Sequence, residues 1–89
     1  MSRTFRPILD ATAGVVLQMI AVHQGRPCPT VAEIMEWTGL PRRGVAPFLA
    51  RLVVRRIIEI EVRGRRPGRR RMRAVGGSWT GWTMRGGPR

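Results

Sequence analysis

An α+β domain, three amphipathic helices followed by a two-stranded β-hairpin, is the fold class that this 89-residue chain predicts. Three observations carry it. Apolar residues recur at helical spacing in three stretches before residue 56, and proline- and glycine-containing breaks divide those stretches. After residue 56 the spacing switches to strict alternation, interrupted once by a segment rich in turn residues. The length supports one small domain, expected over residues 7–75, with a short basic tail at 1–6 and a Gly- and Trp-rich tail at 76–89.

The first helix is expected from about Pro7 to Gln24, where Leu9, Ala13, Val16, Leu17 and Ile20 fall on one face. Pro7 as a first-turn proline and Asp10 as an N-cap offer two different starts, Gly14 weakens the helix modestly, and Gly25 supplies a left-handed end. Arg26-Pro27-Cys28-Pro29 is extended, because two prolines this close forbid helix. Thr30 then caps a second helix, about Val31 to Thr38, with Glu33 completing a capping box and Val31, Ile34 and Met35 facing inward. A tight turn through Gly39-Leu40-Pro41 leads to a third helix. Its inward residues are Val45, Phe48, Leu49 and Leu52, and it runs out near Arg55 or Arg56. Ile57 to Val62 alternates as a half-buried strand, RGRRPGRR turns, and Arg71 to Val75 returns with Met72 and Ala74 inward. The tail repeats a Trp-Thr pair, but two copies three residues apart are too few to define a structural repeat.

The charge points to a partner. Seventeen basic residues, all arginine, oppose five acidic ones, for a net +12. Arginine in place of lysine fits a GC-rich genome, yet codon bias does not explain where the arginines sit. Residues 1–40 carry Arg3, Arg6 and Arg26 against Asp10, Glu33 and Glu36 and are neutral, so residues 41–89 hold the entire excess. Between Arg63 and Arg73, seven of eleven residues are arginine. Such a run repels itself at a cost to the compact state unless an anion lies against it. The expectation is therefore a nucleic-acid partner rather than a merely soluble surface.

The ordered set Pro29-Thr30-Val31-Ala32-Glu33-Ile34, Thr38-Gly39-Leu40-Pro41, then Val45, Leu49 and Leu52, then Arg56-Ile57-Ile58, resembles the winged helix-turn-helix family. The second and third helices are similar to the DNA-binding domain of LexA-type bacterial repressors, and the resemblance covers about Leu9 to Val75. It implies that the third helix enters the major groove with its first residues at the base edges. Arg42 and Arg43 open that helix, and arginine can grip guanine O6 and N7 together. Ala46, Pro47, Ala50 and Arg51 complete the expected recognition surface, the alanines being small enough for close approach. The hairpin tip would be the wing, with Arg63, Arg65, Arg66, Arg69, Arg70 and Arg71 on the phosphate backbone or in the minor groove. Two positions depart from the family pattern. Met35 stands where a small residue lets the helices cross, with Gly44 opposite giving up volume. Pro47 would press its ring on the Arg43 carbonyl, so either the third helix begins near Gly44 or it is kinked.

Other classes find less support. The single cysteine, Cys28, excludes a disulfide framework and a cysteine-rich zinc site. Beside Arg26 and a helix start it suggests a redox-sensing thiol, against the plainer reading of a small core residue. His23 has no partner at metal-ligand spacing, no catalytic arrangement is visible, and neither metal nor cofactor is expected. No apolar run spans a bilayer and no signal-peptide pattern opens the chain, so a cytoplasmic, nucleoid-associated protein without membrane contact is expected. Trp37 lies off the second helix's apolar stripe, at a core edge or in a protein contact. Trp79 and Trp82 either fold back beside the first helix, form a dimer or docking contact, or stack on unpaired bases.

The expected function is a sequence-specific duplex-DNA-binding protein, a transcriptional regulator of bacterial or phage type acting as a homodimer. Two other classes stay open: a winged-helix module for RNA or single strands, and an assembly or adaptor protein that docks a partner through the Trp-containing tail.

Overall fold

The computed structural model describes residues 2–64 and 68–83, with side chains from residue 11 onward. The element order is α1 (Ser2–Val22), α2 (Val31–Thr38), α3 (Arg42–Val54), β1 (Ile58–Arg63) and β2 (Arg69–Ala74), an α+β layout consistent with a winged helix. The chain is already helical at Ser2, so the expected basic tail belongs to α1, and Pro7 and Asp10 lie inside the helix instead of starting it. No helix among the described residues is long and apolar enough to cross a membrane.

The core follows the apolar spacing closely. α1 contributes Ala13, Val16, Met19 and Ile20, α2 contributes Ile34, and α3 contributes Val45, Phe48, Leu49 and Leu52. Leu17, Val31 and Met35 are only partly buried at its edge, while Met19, outside the expected stripe, is fully buried. α1 packs against both α2 and β2, so its buried face is wider than a single stripe and takes in Met19. Ile58 of β1 and Met72 of β2 close the core from the other side. The leading expectation for Cys28 holds in its plain form. It is buried among these residues, and burial pushes its thiol pKa up, with Arg70 and Thr80 pulling weakly the other way. A neutral, enclosed thiol is a poor nucleophile.

Helix ends obey local chemistry. The Thr30 hydroxyl accepts the Glu33 N–H at 3.1 Å and the Glu33 carboxylate accepts the Thr30 N–H at 3.0 Å, the reciprocal capping box. α2 stops at Gly39, whose N–H donates to the Met35 carbonyl. α3 ends with Arg56 N–H on the Val53 carbonyl and Ile57 N–H on the Leu52 carbonyl, the two bonds of a Schellman motif. The left-handed position of that motif is filled by Arg56, at φ 60°, where glycine is usual. α3 begins at Arg42, so Pro47 is an interior residue and leaves the Arg43 carbonyl without its N–H partner four residues on. Gly44 does not offset Met35. The atoms nearest a Cβ at that position would be those of the Pro41 ring, at 3.4 Å, and not those of Met35.

The hairpin registers Ile58 with Ala74, Ile60 with Met72, Val62 with Arg70 and Arg63 with Arg69. β2 therefore starts two residues earlier than expected, and Arg69 and Arg70 are strand residues rather than tip residues.

Residues 76–83 are not a free tail. A turn at Ala74–Gly77, with Gly76 at φ 82°, sends the chain back along β2. There the segment lies between β2 and the α1–α2 connector, bridging Gln24 with Thr80 and Pro27 with Gly81. The Gly81 N–H donates to the Arg26 carbonyl at 2.7 Å, and a Cβ on Gly81 would stand 3.0 Å from that same oxygen. Only glycine fits so close to the connector.

Candidate nucleic-acid interface

Among the described residues, two surfaces carry most of the unbalanced charge. The first is the solvent side of α3. Its four buried residues occupy one face, which leaves Arg42, Arg43, Ala46, Pro47, Ala50 and Arg51 exposed together on the other. The turn from α2 is held by Thr38, whose hydroxyl donates to the Ile34 carbonyl at 2.6 Å and accepts the Leu40 N–H at 3.2 Å. Pro41 provides no side-chain cap, and the first turn of α3 has no acidic residue. The helix thus presents uncapped amides, the positive end of its dipole and two guanidinium groups at one place. Cations are unfavourable there unless an anion joins them, and a phosphate or base-edge acceptor suits the site.

The second surface is the hairpin, and here the arginine run divides. Arg70 faces inward. Its Nη2 donates to the Pro29 carbonyl at 2.8 Å, and its Nε is buried with no partner among the described residues. It ties β2 to the connector and does not point toward a ligand, which corrects its expected place in the wing. Arg71 has three partners. It pairs with Glu61 across the strands at 2.7 Å, and its guanidinium lies 4.5 Å from the Trp79 ring and 4.9 Å from the Trp82 ring. Arg73 pairs with Glu59 at 2.7 Å and also lies over Trp79 at 4.5 Å. Arg63 lies over Trp82 at 4.7 Å with no ion pair among the described residues. Arg69 donates through Nε to the Thr83 carbonyl and is otherwise exposed. Arg65 and Arg66 lie outside the described residues.

The tryptophans therefore rest on the hairpin, not beside α1. Between them the Trp-Thr pair works as a true repeat. The Thr80 hydroxyl accepts the Met72 N–H and its own N–H donates to the Met72 carbonyl, while Thr83 makes the same two bonds with Arg70. Each preceding tryptophan enters the arginine column. The repetition of Trp-Thr was the signal that could have revealed this. Three-residue spacing hid it, because two residues is the ladder period of a regular strand.

Other single residues resolve simply. His23 caps the end of α1, with Nδ1 on the Met19 carbonyl at 2.7 Å and Nε2 3.3 Å from Glu33. Hydrogen bonding from the Thr30 amide, helped by His23, holds the Glu33 carboxyl below its ordinary pKa. Trp37 is exposed at the edge of α2. No cluster of three metal-ligating side chains occurs among the described residues. The chain matches no protein-family model, no curated protein and no solved structure.

Proposed function

We propose that this protein binds duplex DNA in a sequence-dependent way, as a small regulator of bacterial or phage transcription acting as a homodimer on paired half-sites. The observation that carries the reading is the uncapped, arginine-flanked start of α3, which follows a three-residue turn from α2 and opens a solvent face of alanine, proline and arginine. A narrow convex surface with small residues and a cationic end suits the major groove. The hairpin's outward arginines then hold the neighbouring backbone. A single-strand reading draws less support. Base stacking requires open aromatic faces, and guanidinium groups already lie against both tail tryptophans.

The test is enrichment of bound sites from a random duplex pool at near-physiological salt, followed by alanine at Arg42 and Arg43. Enriched, symmetrically spaced half-sites and loss of discrimination in the double variant are the expected results. Equal affinity for RNA, single strands and duplex at that salt would overturn the reading.

A further inference from the structure

We infer that the segment Trp79–Thr83 is a strap that partitions the arginine run: Arg71 and Arg73 are withheld as structural cations, and among the described arginines of the hairpin anion contact falls to those at its outer end, Arg63 and Arg69. The inference rests on the duplex-binding reading for its functional consequence, though not for the strap itself.

The root of the hairpin is anchored by Ile58 and Met72, both fully buried. Its outer half has no such anchor, since Val62 is 66% exposed and Arg63 and Arg69 are open. Besides the Arg70 bond to the Pro29 carbonyl, what holds the outer half is the strap. Thr83 takes both backbone groups of Arg70, its carbonyl accepts Arg69 Nε at 3.1 Å, and Trp82 lies between Arg63 and Arg71. The order along this face is Arg73, Trp79, Arg71, Trp82, Arg63, cation and ring alternating. Alternation keeps like charges apart and places each on an electron-rich ring. Arg71 and Arg73 also spend in-plane N–H groups on Glu61 and Glu59. Each of those two cations is already neutralised by a carboxylate at 2.7 Å, so a phosphate gains less there, whereas Arg63 and Arg69 have no carboxylate partner among the described residues. The hairpin thus offers a short cationic tip instead of a long cationic strip.

Phenylglyoxal labelling of the full chain without DNA, mapped by mass spectrometry, tests the strap. Arg71 and Arg73 are expected to react more slowly than Arg69, and to catch up in the W79A/W82A variant. The salt dependence of duplex binding tests the consequence. The charge-neutral pairs E61Q/R71Q and E59Q/R73Q are expected to leave the slope of log affinity against log salt unchanged. R63Q and R69Q are each expected to lower it by about 0.9, one released counterion apiece. Labelling of Arg71 and Arg73 as fast as Arg69 in the full chain overturns the strap, as does a slope loss in the paired variants equal to that of R69Q. A full chain that does not bind duplex overturns the functional reading instead, and the labelling pattern then decides the strap alone.

Discussion

Thr80→Val isolates the strap's innermost bond. Thr80 is 3% exposed, and its hydroxyl both accepts the Met72 N–H and donates to the Gly81 carbonyl. Valine keeps the shape and the bond from residue 80 N–H to the Met72 carbonyl, but it strands the Met72 amide in a fully buried place. An unsatisfied buried donor costs about 1–3 kcal/mol, and the added methyl returns about 0.8 kcal/mol. The net loss centres on about 1 kcal/mol, which in a domain this small lowers Tm by roughly 4–8 °C. Thr83→Val is the internal control. The Arg70 amide that it strands is only part-buried, so water can replace the bond and the loss should stay below about 1 kcal/mol. Thermal unfolding by circular dichroism gives the two values, and amide exchange at Met72 reports the site directly. If Thr80→Val is neutral, or if Thr83→Val costs as much, the bond between Thr80 and the Met72 amide does not anchor the strap.

Pro47→Ala restores an N–H to the Arg43 carbonyl inside α3 and should raise stability by about 2 kcal/mol, after subtracting the entropy that proline removes from the unfolded chain; an unchanged denaturation midpoint would show that the helix has adapted to the ring. Glu33→Gln should flatten the acid limb of the stability profile. The Glu33 pKa is lowered in the fold, so its contribution is present above the ordinary carboxylate value and disappears as pH falls through the folded value, and urea midpoints measured between neutral and acid pH check this. Cys28 should react with an aromatic disulfide reagent at mildly alkaline pH only after the chain is unfolded, because its thiol is buried and its pKa raised; rapid reaction of the native protein would contradict the packing.

The helical part of the fold was legible because its rules are local. Thr30 with Glu33, Gly39, and the spacing of Val45, Phe48, Leu49 and Leu52 each act within one or two turns, and each appears in the structure where local chemistry puts it. The exposed face of α3 follows from the same spacing by subtraction, so the six residues from Arg42 to Arg51 were readable as a surface. Even here a neighbour changed details. Met19 is buried because α1 has two packing partners, and no one-face pattern contains that information.

The sequence by itself determined an α+β chain whose whole excess charge lies after residue 40. Which arginines are free to act was decided by tertiary structure alone. Arg63, Arg69, Arg70, Arg71 and Arg73 are equivalent as letters in a run. They differ because strand pairing places Glu61 beside Arg71 and Glu59 beside Arg73, because pleating turns Arg70 inward, and because a returning segment slides two indole rings between the outward side chains. These are contacts between residues distant in sequence. Charge counting sums over the chain and cannot register them, whereas hydrogen bonding and stacking act only at contact distance.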